Sequence, residues 1–553
     1  MRIRGRPKPR LTARLAFVSV DHEDVVVTTD GTYAGRHPIK RFVLDWGDAT
    51  LVQGINAPLP TYAHTYAADG DYRIRLEIWD TASGQASDSL MASIRLRRRG
   101  DHPTSSGGSS AADLGGYRPE MPNAQGMATK GGRGTSTTAA PVLIKITSLA
   151  DSSAALSSQA SENGMAVYTG EFRAAVQFAG PRFIVFETSG YIDLKSVLNC
   201  TNAYMTVAGQ TAPAPGVCIR MTRAGLSSGQ ENTIYLLTKE TVWQHVRVRP
   251  GDTNCNSGIQ IWNNDISTNN VNHHLFDHVS LSWFQDDGYF LNYDASSITF
   301  WKSIIAEGLD NMPGSSVCPG GGQDNAHGLA IGWGQQLSVI QTLFANTNYR
   351  VPQIDSSATL YYANNVVYGV ELGPWYNDVS GRGPWKSINR GNYYKIRSGT
   401  HTAIRVTGAD AGSQLYLDDN TFDDGPGLWN QFVQDGGGID PRSTTVPTGV
   451  EPSTTYTVLP STAAYTTVLA GSGCRPKLRA TTDDDGVDSR IVGDVSSRTG
   501  ALIDSVADVG GYPTLTASTN TFSMPANPLS TGDAVGRLNL EVYLETLARA
   551  VEP

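Results

Sequence analysis

The chain has 553 residues, of which 17% are charged and 39% hydrophobic, with 58 glycines and a formal net charge of −9. This length allows more than one domain with a full core, and high glycine with low charge fits a loop-rich all-β protein rather than a helical one. Basic residues cluster only in the first ten positions and in Arg95–Arg99, which excludes nucleic acid as an expected partner.

Residues 1–14 form a basic tail with no apolar stretch behind it, and no run of about 18 apolar residues follows anywhere. No membrane span and no secretory signal are therefore expected. An extracellular task would need a trimmed signal or release with a virion at host lysis. From 15 to 98, alternating runs such as FVSV, DVVVTTD, RFVLDWGD and YRIRLEIWD are separated by Asp, Gly and Pro clusters, which predicts the strands of a small sandwich. The segments LDWGDAT (Leu44–Thr50) and AHTYAADGDYRIRLEIWD (Ala63–Asp80) resemble the signature of PKD domains, an immunoglobulin-like fold. Trp46 and Tyr66 are expected core anchors, and Asp45, Gly47 and Asp48 a tight turn. Nothing here pairs a nucleophile with a base, so this unit reads as a spacer or as an attachment to a virion or cell surface. Residues 99–116 are a Gly/Ser-rich linker.

The remainder, 117–553, is organised by a repeat. Short β-rich runs centre on Val279, Ile304, Leu343, Val366 and Tyr393, about 23 to 27 residues apart once a Gly-rich insert before Ala326 is set aside. A run this short cannot bury its own apolar face, so it must stack on its neighbours. The predicted fold is all-β: a right-handed parallel β-helix preceded by the Ig-like (PKD) sandwich. Five cysteines share no CxxC spacing, which argues against zinc and for buried, reduced thiols.

Ordered motifs carry a second resemblance: NAQGMATKGGRG (Asn123–Gly134), GPRFIVFETSGYIDLKS (Gly180–Ser196), VWQHVRVRPGD (Val242–Asp252), FDHVSLSW (Phe276–Trp283), NTNYRVP (Asn346–Pro352) and VDSRIVGDVSSRTGALIDSVADVGGYP (Val487–Pro513). These resemble the pectate-lyase-like polysaccharide lyases over roughly Asn123–Arg549. The resemblance implies β-elimination on an acidic, uronate-containing polysaccharide. That chemistry takes the proton from C5, beside the carboxylate, and expels the O4-linked sugar. It needs a base, a cation on the carboxylate, and an open groove.

By the same resemblance Arg350 matches the arginine taken as the base, a role that requires a site disfavouring its charge. His327, in AHGLAIGWG, is a second catalytic candidate. Asp277, Asp286 and Asp287 are expected calcium ligands, although Ser257 stands where an aspartate is common and Gln323 or Asp324 where a lysine is. Trp333, Tyr349 and Gln353 are candidate substrate contacts, with Trp283 and Trp375 as further exposed aromatics. The acidic run Thr481–Arg490 lacks the spacing of a calcium loop and reads as a surface turn. LNLEVYLETLARAV has helical periodicity and is expected to dock on the solenoid. Two function classes remain: an extracellular lyase, or a carbohydrate-binding, tailspike-like surface protein on the same scaffold.

Overall fold

The computed structural model describes strands between residues 16 and 96, and residues 130–553 apart from 223–230, 254–255, 263–270, 293–294, 311–324, 333–335, 356, 371–372, 377–382, 398–401, 424–430, 436–439, 452–455, 480 and 534–535. The chain divides into two compact units, Met1–Gly108 and Ser109–Pro553.

In the first unit, two antiparallel sheets are present, one of three strands and one of four. Trp46 is fully buried and stacks on His64 at 4.8 Å. The turn after it forms as its residues dictate: Asp45 accepts from the Gly47 amide at 2.8 Å and Asp48 from the Thr50 amide at 2.9 Å, with Gly47 at a φ of 79°. Tyr66 lies outside the described residues, so the PKD-like reading stays an expectation.

The second unit is a parallel β-helix. Three long sheets run along it, of thirteen, nine and nine strands; nine coils contribute one strand to each sheet, and the first sheet has four further strands at its ends. The repeat seen in the sequence is the ladder of the second sheet, where Ser280, Ile304, Leu343, Val366 and Tyr393 pair in register on successive strands. Inward positions stack by residue type: Ile192, Ile219, Val248, Leu281, Ile305 and Phe344 continue one another through the core. A parallel ladder places like beside like, and each side chain covers its neighbour's apolar edge. Polar positions do the same, Asn365 donating to Asn392 at 3.1 Å and Asn392 to Asn420 at 2.9 Å.

From the strand Thr241–Gln244 onward the coils make the same left-handed turn between the first and second sheets, with positive φ at His245, His278, Lys302, Gln341 and Asn364. Side chains at these turns are therefore stacked as well, His245 on His278 at 4.7 Å. The helix Asn539–Ala550 packs Leu540 and Leu544 against Leu143, Val185 and Phe522. Contrary to the surface-turn expectation, Asp485 and Asp488 of the acidic run are buried. They and Asp484 pair with Arg247 and Arg249 of the solenoid, both fully buried. Cys200, Cys218 and Cys474 are buried and unpaired, and burial pushes each thiol up, Cys200 and Cys218 to about 11.

Candidate active site

The outer face of the third sheet carries the site. Tyr235, Gln260, Phe290, Ala330, Gln353, Trp375 and Arg405 pair in register across seven strands, so they form one row along the solenoid axis. Three residues ahead of Gln260, Phe290, Ala330 and Gln353 stand Ser257, Asp287, His327 and Arg350, and Asp287 pairs directly with His327.

Ser257, Asp287 and His327 are each followed by glycine, and the glycines explain how closely these coils approach. A Cβ on Gly258 would lie 2.2 Å from the Gly288 carbonyl oxygen, and one on Gly288 only 2.6 Å from that of Gly328. Only hydrogen fits beneath the row of polar side chains. Arg350 then enters from the next coil, its backbone fixed by the Leu329 amide donating to its carbonyl at 2.5 Å. Its φ of 59° is a left-handed conformation that a non-glycine residue holds only when its surroundings enforce it.

These constraints bring four predicted residues together. Arg350 Nη1 donates to Asp287 Oδ1 at 3.0 Å. His327 Nδ1 lies 3.1 Å from Asp286 Oδ1 and 3.5 Å from Asp287 Oδ1, close but poorly aligned for a hydrogen bond. The other ring nitrogen, Nε2, is buried without a hydrogen-bond partner. Tyr349 lies against the imidazole at 4.3 Å and meets Trp375 edge-on at 6.0 Å. Gln353 donates to Asp355 at 3.3 Å in the outer row.

Burial works against the charge on both cations, yet the neighbouring carboxylates outweigh it. The His327 imidazole is held above its ordinary value, chiefly by Asp286 and Asp287, and the Arg350 guanidinium is likewise raised, chiefly by Asp287. Arg350 is thus kept protonated, the opposite of what a proton-abstracting arginine requires. His327 keeps Nε2 free of any hydrogen-bond partner, the position from which an imidazole can accept a proton.

Asp277 is a correction. It ends the strand Asn272–Asp277 of the first sheet and is fully buried. It accepts from Gln244 at 2.7 Å and pairs with His278 at 2.6 Å, away from Asp286 and Asp287 on the third sheet. Its neighbours His245, His278 and Glu552 form a compact buried group. There the Arg475 amide donates to His245 Nδ1 at 3.2 Å, which leaves the ring proton on Nε2, 2.9 Å from Glu552. That nitrogen is a donor rather than a metal ligand. Trp283, expected to be exposed, is fully buried and donates to Glu307 at 3.1 Å. Trp333, Gln323 and Asp324 lie outside the described residues.

Asp286, Asp287 and His327 offer three ligand atoms within 4.8 Å of one another. Calcium asks for six to eight oxygens, whereas this set supplies two carboxylates and a nitrogen, and the carboxylates already lie against Arg350 and His327. The group does not fit a resident calcium ion.

Beside it is a cavity of about 250 Å³, not expected from the residues alone, lined by Asn232, Tyr235, Ser257, Gln260, Trp262, Asp286, Asp287 and Phe290. The one available signal was the recurrence of a polar residue before glycine at 257, 287 and 327.

No family model matches the chain. Among curated proteins it is similar to a probable pectate lyase C of Neosartorya fischeri, 28% identical over 363 residues, covering 64% of this chain and 76% of that protein. It is also similar to the probable pectate lyase C of Aspergillus oryzae, 26% identical over 349 residues, 62% of this chain and 74% of that one. Among solved structures, the cedar pollen allergen Jun a 1 aligns with a TM-score of 0.37 at 13% identity, over 62% of this chain and 90% of its own. A Bacillus subtilis pectate lyase variant aligns at 0.30 and 11%, over 64% and 96%.

Proposed function

We propose that the protein is an extracellular polysaccharide lyase that cleaves uronate-containing glycans by β-elimination. The observation that carries this reading is one arrangement: a buried imidazole with an unpartnered Nε2, beside a guanidinium pinned by Asp287, on the outer face of a long sheet. The named activity of the fungal relatives supports it. No described helix is long and apolar enough to cross a membrane.

In this proposal Arg350 binds the carboxylate of the reacting uronate, and Asp287 holds the guanidinium charged and oriented. His327 Nε2 takes the C5 proton. The electron pair moves toward the carboxylate, where Arg350 stabilises the enolate-like charge. The pair then forms the C4=C5 double bond as the C4–O4 bond breaks, and the departing O4 takes a proton from water in the open trough. Tyr349 and Trp375 offer ring faces to the sugars on either side. Arg350 is thus the electrostatic partner and His327 the base, the reverse of the emphasis implied by the family resemblance. No step is assigned to a metal ion.

Incubation with a panel of uronate polymers, read by the ultraviolet absorbance of the conjugated product, tests the proposal. Wild-type protein gives that absorbance and both Arg350→Ala and His327→Ala lose it. Product from His327→Ala at the wild-type rate would remove His327 as the base. Binding without product by the wild type would favour the alternative, a carbohydrate-binding surface protein.

A further inference from the structure

The cavity beside the catalytic group differs in charge from the rest of the trough. Of its eight lining residues, Asp286 and Asp287 are carboxylates, Asn232 and Gln260 amides, Ser257 an alcohol, and Tyr235, Trp262 and Phe290 aromatic; none is a lysine or arginine. Asn232 donates to Gln260 Oε1 at 2.6 Å, which fixes the Gln260 amide and keeps its nitrogen as a donor. Toward the other end of the same row the character reverses. Arg405 follows Trp375 in register and rests over its ring, 5.2 Å from the centroid. Among the described residues Arg405 has no carboxylate partner.

We infer that the trough takes a mixed glycan, with a neutral sugar in the cavity and uronates at Arg350 and along the Trp375–Arg405 side. The inference rests on the lyase reading for the uronate at Arg350. Carboxylates and amides accept from and donate to sugar hydroxyls, and aromatic rings cover the apolar faces of a pyranose. A uronate in the same cavity would bring a further carboxylate beside Asp286 and Asp287, where the one neighbouring guanidinium, Arg350, is already engaged by Asp287 and by the reacting uronate, which is specificity by exclusion. Arg405 lies two strands beyond Gln353, about 10 Å along the axis, where a cation on an aromatic face suits a second uronate.

The test compares polygalacturonate, a pure polyuronate, with two copolymers that mix uronate and neutral sugars, a rhamnogalacturonan backbone and gellan. Binding is read by affinity electrophoresis with His327→Ala protein, which keeps Arg350, and cleavage by ultraviolet absorbance with wild type. At least one copolymer is expected to bind and be cleaved at least tenfold better than polygalacturonate. Gln260→Lys, which puts a cation into the cavity, is expected to narrow that preference at least tenfold, mainly through KM. Preferential copolymer binding without product from any polymer would overturn the lyase reading and support the cavity assignment. Equal or tighter binding of polygalacturonate, absence of binding to all three, or an unchanged preference in Gln260→Lys would overturn the cavity assignment.

Discussion

Replacing Asp287 by Asn removes one charge and almost no volume, and it tests how the site is wired. The Asp287 side chain is only 6% exposed, and one of its oxygens serves both Arg350, at 3.0 Å, and His327, at 3.5 Å. A hydrogen bond to a charged group contributes about 1.5–3 kcal/mol, and each 1.36 kcal/mol on the barrier is about tenfold in rate. Asn keeps the oxygen acceptor and loses only its charge, about half of such a bond, so kcat/KM falls by about 4- to 13-fold. A second effect has a definite sign. Asp286 and Asp287 raise the His327 pKa against the pull of burial, so removing one carboxylate lowers it. A base works deprotonated, so the acidic limb of the kcat/KM profile moves to lower pH in the variant. The assay is continuous ultraviolet detection of product across pH, with circular dichroism to verify folding. A folded variant with wild-type kcat/KM, or an acidic limb shifted upward, would refute the assignment of roles to Arg350 and His327.

Three further outcomes follow from other parts of the structure. Asp485→Asn leaves Arg247 and Arg249 buried with too little negative charge; breaking such a network costs about 3–5 kcal/mol, and a denaturant midpoint equal to wild type would show that it carries no such weight. Burial pushes His245 down to about 4 and His274 to about 3, so the unfolded chain binds more protons below about 6.5. Stability should thus be fully present above that pH and decline as pH falls through it toward 4, His245 alone giving up roughly 3 kcal/mol; a melting temperature flat over this range contradicts the burial of neutral imidazoles. Calcium titrated calorimetrically into sugar-free protein should reveal no site tighter than about 10⁻³ M, and a tighter site at Asp286 and Asp287 would overturn the reading of those carboxylates as partners of Arg350 and His327.

The solenoid was legible because its period is written in the residues that stack. Ile304, Leu343, Val366 and Tyr393 are register partners, and a fixed spacing of apolar runs has few other physical solutions. Which of three sheets a given aspartate faces is much harder to read. Asp277 and Asp287 are ten residues apart in sequence, but a coil turns twice between them, which puts one at the buried end of a first-sheet strand and the other on the third sheet. Trp283 failed for the same reason: it sits at a left-handed turn, φ 63°, that carries its ring under the C-terminal segment against Tyr512. The acidic run near Asp485 looked like solvated charge because its partners, Arg247 and Arg249, lie more than two hundred residues earlier. Arg350, His327, Asp286 and Asp287 were recognisable individually. What the residues alone did not disclose was that Arg350 is paired to a carboxylate, and that pairing decides its chemistry.

Elimination adds no water to the cleaved chain whereas hydrolysis does, and isotope incorporation separates the two in one experiment. Digestion of a bound uronate copolymer in heavy-oxygen water, with borohydride reduction ahead of anomeric exchange and then mass spectrometry, should give new reducing ends without heavy oxygen and new non-reducing ends each lighter by one water than a hydrolysis product. Fragments that have taken up one heavy oxygen per cut would contradict the account.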